Sequence, residues 1–228
     1  MENLMAFCSW SGGKESALSL YRASKSGVEI SCLVNMASED GKRSRSHGVI
    51  SELINSQAEA IGIPIVQRKT TWESYEEEFK KTTSELRRKG IHVGVFGDID
   101  LKEHRDWIER VCSETGIKPV LPLWEETRKE LLLEFIDKGF QAIIVAIHSD
   151  FFDPEWLGRK IDRQFILELE KVERIDLCGE HGEYHTFVYD GPIFKKPVEF
   201  QIGEKRLREK HWFLELRPPH LSEQFDNN

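Results

Sequence analysis

No apolar run in this 228-residue chain reaches the ~18 residues needed to cross a bilayer. No basic segment followed by a long apolar one opens the chain either, so no secretory signal is expected and the cytoplasm is the expected compartment. Cysteine is sparse. Cys8, Cys32, Cys112 and Cys178 are scattered without a C-x-x-C pair, which argues against structural zinc and against a disulfide framework. Positive charge is in deficit, with a net charge of −8. Nucleic-acid binding needs a basic face to neutralise phosphates, so no nucleic-acid partner is expected. Two short basic clusters exist, at 42–45 and 205–210, and the second reads as a solvated turn. No internal repeat is evident, and only the last few residues have the look of a disordered tail. What remains is 39% hydrophobic and 32% charged, the balance of a soluble protein with a core. The length suits one large domain, or one with a small appendage.

A short apolar strand, Ala6-Phe7-Cys8, runs into Ser9-Trp10-Ser11-Gly12-Gly13-Lys14-Glu15-Ser16, and a helix follows with Ala17, Leu18, Leu20 and Tyr21 at near-helical spacing. A strand–glycine–helix turn is an anion site in waiting. Glycine lets the backbone approach an oxyanion, and the free N–H groups of the helix start point at it. Ser11 and Ser16 add hydroxyl donors and Lys14 adds a charge. The stretch reads as a phosphate or pyrophosphate loop, or else as an ordinary Ser-capped helix after a turn. It is not a Walker A loop, because G-x-x-x-x-G-K-[ST] is absent.

Gly27, Gly62, Gly90, Gly116 and Gly139 each follow a helix-like segment and precede an apolar run. Glycine in that place is a helix C-terminal cap. Five such units predict alternating helix and strand, hence a parallel sheet covered by helices on both faces, over residues 1–150. Within it, strands are expected at 30–36, 64–67, 93–96 and 142–147. Helices are expected around Ile50 to Ile61, Trp72 to Leu86, Trp107 to Cys112 and Leu131 to Ile136. After about residue 150 the character changes. A turn at Asp153-Pro154, a helix over 161–171 and alternating runs at 186–189, 198–202 and 212–216 predict a smaller C-terminal α+β domain over 151–228.

Ligands of open parallel sheets sit beyond the carboxyl ends of the strands. Three segments should gather there: the 11–16 loop; Asn35 and Met36 through Ser44, Ser46 and His47; and Gly97, Asp98, Asp100, His104 and Arg105. The last two groups are either ligand contacts or N-caps and solvated loop charges. A second unusual stretch is Cys178-Gly179-Glu180-His181-Gly182-Glu183-Tyr184-His185-Thr186. Its glycines allow a tight loop in which Glu180 and Glu183 converge, suited to Mg²⁺, a general base or a cationic ligand, or else a polar hairpin.

The 11–16 loop resembles the PP-loop of N-type ATP pyrophosphatases, S-G-G-x-D-S. With the 179–186 stretch, the chain is similar over most of its length to the diphthine–ammonia ligase family. Members of that family pair S-G-G-K-D-S near the start with G-E-x-G-E-[FY]-E-T near the start of the final third. Leu123-Trp124 and Trp156-Leu157-Gly158-Arg159 also look like family landmarks. The resemblance implies an adenine nucleotide alpha hydrolase-like, Rossmann-like fold, ATP and Mg²⁺ as cofactors, and ATP-dependent amidation of a carboxylate through an acyl-adenylate. On it, Ser11, Gly12, Gly13, Lys14, Glu15 and Ser16 hold the pyrophosphate end of ATP, with Asn35 and Met36 at the nucleotide. Ser46, His47, Gly97, Asp98, His104, Arg105, Gly179, Gly182, His185 and Thr186 face the acceptor or nucleotide, and Lys14, Glu180 and Glu183 carry catalysis. No metal ligands are assigned, and Cys178 is either packing or a weak nucleophile.

In the family the partners are ATP, ammonia and diphthine, a modified histidine on a translation elongation factor that bears a trimethylammonium group. Trp10, Trp72, Tyr75, Trp107, Trp124 and Trp156 are numerous enough for an aromatic cage around such a cation, or else pack in the core. Two residues depart from the pattern, Glu15 for Asp and His185 for Glu. A PP-loop enzyme acting on a small acid or a tRNA base, and a non-catalytic nucleotide-binding module, are the alternatives. A homo-oligomer is left open.

Overall fold

The computed structural model describes residues 5–219, and the tail anticipated as disordered lies outside the described residues. Five strands, β1 (Met5–Ser9), β2 (Glu29–Ala37), β3 (Ile65–Lys69), β4 (Val93–Val95) and β5 (Lys118–Val120), form a parallel sheet in the order β3-β2-β1-β4-β5. Between them run α1 (Lys14–Lys25), α2 (Ser51–Ile61), α3 (Tyr75–Arg88) and α4 (Lys102–Thr115), and α5 (Arg128–Asp137) follows β5. Side chains alternate across the strands and supply two cores. Ala6, Cys8, Leu33 and Val95 face α1, α2 and α5, while Phe7, Cys32, Val34 and Met36 face Phe79, Leu86, Ile108 and Val111 of α3 and α4. Burying a side chain such as Phe79, 1% exposed, stabilises by about 1.5–3 kcal/mol. The five glycines anticipated as caps all have positive φ. Trp72 does not join the buried face of α3; it precedes the helix and is 70% exposed.

The second sheet is antiparallel, in the order β7-β6-β9-β8, from β6 (Gln141–His148), β7 (Tyr184–Asp190), β8 (Gln201–Arg208) and β9 (His211–Arg217). The segment 142–147, expected in the parallel sheet, is instead an inner strand of this one, buried along its whole apolar stretch. Helix α6 (Arg163–Leu169) is shorter than the expected 161–171, and the strand expected at 198–202 begins only at Gln201. The basic cluster 205–210 is not a turn throughout. Lys205, Arg206, Leu207 and Arg208 lie in β8, and the turn is Glu209-Lys210. Nearly all of β8 is exposed on both faces, so it carries no hydrophobic alternation to read. Among the described residues, no helix is long and apolar enough to cross a membrane.

Candidate active site

The sheet order reverses direction at β1, between β2 and β4, and a cavity of about 510 Å³ opens at the carboxyl ends of these strands. The 11–16 loop forms its floor. Gly12 has φ of +86°, and a Cβ there would meet Ile54 Cδ1 at 2.7 Å and Gln57 Oε1 at 2.8 Å. A Cβ on Gly13 would meet His47 Cε1 at 2.2 Å, so only glycine lets the loop pass beneath His47. Ser11 Oγ accepts from the Gly13 N–H at 3.3 Å, and Ser16 Oγ donates to the Gly13 carbonyl at 2.9 Å. Gly13, the N-cap of α1, has no side chain to offer the helix start, so apart from the Lys14 N–H that end of the helix is suited to an anion.

Strand β7 is the edge of the second sheet, and it lies against this loop. Val188 N–H donates to the Gly12 carbonyl at 3.0 Å, and Lys14 N–H donates to Thr186 Oγ1 at 3.1 Å. Gln57, wholly buried on α2, ties both sides together. Its amide nitrogen donates to the carbonyls of Gly12 (3.0 Å) and Val188 (2.6 Å), and its Oε1 accepts from Trp10 Nε1 (2.9 Å). The Lys14 side chain makes the same crossing. It is 4% exposed, donates to the Cys178 carbonyl at 2.6 Å, pairs with Glu15 at 2.6 Å and lies 4.4 Å over the Tyr184 ring. Burial works against its charge, but Glu15 prevails and its pKa is raised. The Glu15 carboxylate, at the position where the resembled motif has Asp, meets the Lys14 ammonium.

The two glutamates of the second motif do not converge. Glu180 lines the cavity, and its pKa is pushed up to about 8 by burial first, then by the negative charges of Glu15 and Asp98, against the pull of Lys14. Glu183 is 3% exposed and turned inward, where its oxygens accept from the Asp176 N–H (3.2 Å) and the His181 N–H (2.9 Å). It holds the loop that presents Glu180. Gly179 allows the turn, with φ of +72° and room for no Cβ beside the Tyr184 carbonyl. Cys178 is buried, its thiol pKa is driven up chiefly by burial, and its sulfur contacts the Arg128 carbonyl, so it packs rather than attacks.

Ser46, His47, Gly97, Asp98, His104, Gly182 and His185, the residues expected to face the acceptor or nucleotide, are brought together along the cavity. His47 donates from Nδ1 to the Thr186 carbonyl at 2.8 Å, which leaves Nε2 without a proton when the ring is neutral. The His47 and His185 rings lie 4.6 Å apart, and burial keeps both pKa values low, that of His185 well below the ordinary range. His104 pairs with Asp98 at 3.1 Å, which raises its pKa. Trp72, Tyr75 and Trp107 form an aromatic wall of the cavity, with Tyr75 5.9 Å from Trp107 and 6.2 Å from Trp72.

Several expected residues are elsewhere. Asn35 is buried beneath the site, donating to the Trp10 carbonyl and Ser44 Oγ. Met36 packs in the core, and its carbonyl accepts from the Arg45 N–H. Arg105 pairs with Glu109 and lies over Trp124, away from the cavity. Thr186 acts on the loop from behind. Trp10 is core, Trp124 holds Arg105, and Trp156 packs between Phe152, Phe165 and Arg159. Gln57 is a residue that sequence reasoning misses, although a polar side chain within the apolar stripe of α2 is a legible signal. Tyr184 is missed because an aromatic that meets a lysine only in space gives no sequence cue.

Among the described residues, no group of three or more His, Cys, Asp or Glu side chains could hold a metal ion by itself. Mg²⁺ commonly takes one or two carboxylates and completes its shell with water and substrate phosphates. Glu15, which lines the cavity, fits that lesser demand.

The family model described as the diphthamide synthase N-terminal domain matches residues 5–119, and that described as the C-terminal domain matches residues 127–219. The chain is 29% identical over 222 residues to diphthine–ammonia ligase of Bos taurus, covering 85% of this chain and 82% of that protein. It is 28% identical to the Homo sapiens protein of that name, with the same coverage. A crystal structure described as a predicted subunit of tRNA methyltransferase from Methanocaldococcus jannaschii DSM overlaps with a TM-score of 0.44 at 17% identity, over 86% of this chain and 100% of that one.

Proposed function

The chain belongs to the diphthamide synthase family, and from that premise we propose that it joins ammonia to the carboxylate of diphthine in an ATP-driven reaction. It is a ligase that forms C–N bonds. One observation carries the reading: a single cavity is lined by residues of the glycine–serine loop, by Glu180 and by the rings of Trp72, Tyr75 and Trp107.

A carboxylate is a poor electrophile until one of its oxygens becomes a leaving group. Attack of that oxygen on the α-phosphorus of ATP forms a P–O bond and breaks the bond to the β-phosphate, giving an acyl-adenylate and pyrophosphate. The nitrogen lone pair of ammonia then attacks the acyl carbon. The C–O bond to AMP breaks, and the nitrogen sheds a proton. The Ser11 and Ser16 hydroxyls, the Gly12-Gly13 backbone and the start of α1 would hold the pyrophosphate end, a role that the glycine turn into an N-cap without a side chain supports. Lys14 fixes the loop to β7 and supplies positive charge at the floor. Glu180, titrating near 8, is matched to accept the proton from the nitrogen. Mg²⁺, when bound, would be held by Glu15 and would balance charge on the phosphates.

Trp72, Tyr75 and Trp107 offer π faces to the trimethylammonium group, with Asp98 adding a negative charge. His185 offers a neutral ring where family members carry Glu, so affinity for this cation is reduced relative to a Glu-bearing site. We assign the nucleotide to the parallel-sheet unit and the acceptor to the cavity walls of both units, Trp72, Tyr75, Trp107 and Asp98 on one side and Glu180 and His185 on the other, with the division ahead of β6 rather than at residue 150. The test is incubation of diphthine-bearing elongation factor with ATP, Mg²⁺ and ¹⁵N-ammonium. Mass spectrometry should find the label in an amide at the diphthine carboxylate. Label absent from the factor, with ATP still consumed, would assign the enzyme another acceptor.

A further inference from the structure

The two basic clusters that are far apart in sequence meet in the fold. Arg43 and Arg45, after β2, and Arg206 and Arg208, on β8, line one groove of about 220 Å³. Ser46 lines both this groove and the reaction cavity, so the two adjoin. Arg45 marks the border: it donates to Thr70 Oγ1 at 2.9 Å and lies 5.0 Å over the ring of Trp72, which belongs to the cavity wall. Arg43 donates to the Gly48 carbonyl at 2.8 Å. Its pKa is lowered first by burial and then by Arg208, with Arg206 adding to the effect against the pull of Glu215 and Asp40, a sign that these like charges converge in the groove they line.

The groove's charge is only partly answered from within. Arg206 pairs with Glu204 at 3.0 Å and reaches Glu215 at 3.7 Å. Among the described residues, Arg43, Arg45 and Arg208 make no ion pair with a carboxylate. In a chain of net charge −8, these guanidinium groups converge beside the reaction cavity. Guanidinium forks match carboxylates in geometry.

We propose that this groove docks an acidic segment of the protein that bears the acceptor, holding it so that the acceptor side chain enters the cavity past Ser46. The proposal rests on the reading that the acceptor is part of a protein. A nucleic acid is the poorer occupant. Its regularly repeating phosphates would run onto Glu39, Asp40, Glu204 and Glu215 around the arginines, whereas a peptide with a few carboxylates need not.

The test begins with the full chain and fluorescence anisotropy of three probes: a peptide alternating Glu and Gly, the same peptide with Lys for Glu, and a single-stranded RNA of equal charge. The acidic peptide should bind, more weakly as salt rises. Arg206→Glu/Arg208→Glu should weaken it about tenfold, and Arg206→Lys/Arg208→Lys should keep most of the affinity. Both sites are exposed, and an unchanged melting temperature confirms the fold. In a turnover assay the reversal should raise KM for the acceptor-bearing protein by a similar factor, leaving kcat and the KM for ATP unchanged. Equal binding of the acidic peptide by wild type and reversal overturns the proposal, as does RNA that binds more tightly than the peptide or an unchanged KM for the acceptor-bearing protein. Wild type that binds the acidic peptide through these arginines yet amidates no diphthine leaves the groove standing and removes the proposed function.

Discussion

Replacing Lys14 by Ala should unsettle the fold as well as stop the reaction. Its ammonium is buried, pairs with Glu15 at 2.6 Å and donates to the Cys178 carbonyl at 2.6 Å, so it fastens the phosphate loop to the C-terminal unit. Removing one partner of a buried ion pair leaves the other uncompensated and costs about 3–5 kcal/mol. The Glu15 side chain keeps 18% of its exposure, which puts the cost at the lower end, about 3 kcal/mol. For a chain of this size that is a fall of about 6–12 °C in Tm. Losing a charge-stabilising donor should add about 2.7–4 kcal/mol to the reaction barrier. The assay is thermal unfolding by circular dichroism beside nucleotide turnover. The double variant Lys14→Met/Glu15→Gln removes both charges and keeps the volume, so it should recover most of the Tm while staying inactive. An unchanged Tm in Lys14→Ala would refute the bridging role, and full activity would refute the catalytic one.

Turnover should rise with pH through about 8 as Glu180 ionises. Glu15→Gln takes away a neighbouring negative charge, eases that ionisation and should move the midpoint of the surviving activity to lower pH. A midpoint that stays or climbs would show that Glu180 is not the group titrating. Glu183→Gln should cost about 1–3 kcal/mol of stability, seen as a lower Tm, because an amide can replace only one of two carboxylate oxygens facing N–H donors. An intact Tm with lost turnover would return Glu183 to the chemistry. His185→Glu should lower KM for diphthine, with an upper limit of roughly 4 kcal/mol for a unit charge pair at 4 Å in a medium of dielectric about 20. An unchanged KM would mean that this position has no part in acceptor choice.

How much of this was legible depended on whether the chemistry was contiguous in the chain. The loop and the five capping glycines could be read directly, since a strand, a φ-permissive residue and a helix start follow one another in sequence. The sheet to which β6 belongs could not. A strand buried on both faces reads the same in a parallel sheet and in the interior of an antiparallel one. Spacing suggested that Glu180 and Glu183 converge, but the direction of each side chain is set by the backbone N–H groups of Asp176 and His181, which draw Glu183 inward. The meeting of Arg43 with Arg208 depends on how the second sheet seats beside the segment after β2, and no local pattern encodes that.

The central claim is that the 11–16 loop holds a departing pyrophosphate while a carboxylate is activated above it. Phosphorus NMR of the protein turning over ATP with Mg²⁺, ammonium and diphthine-bearing elongation factor tests it most directly. AMP and pyrophosphate should form in step with the amide and only when the acceptor is present. ADP and phosphate as the products would contradict it.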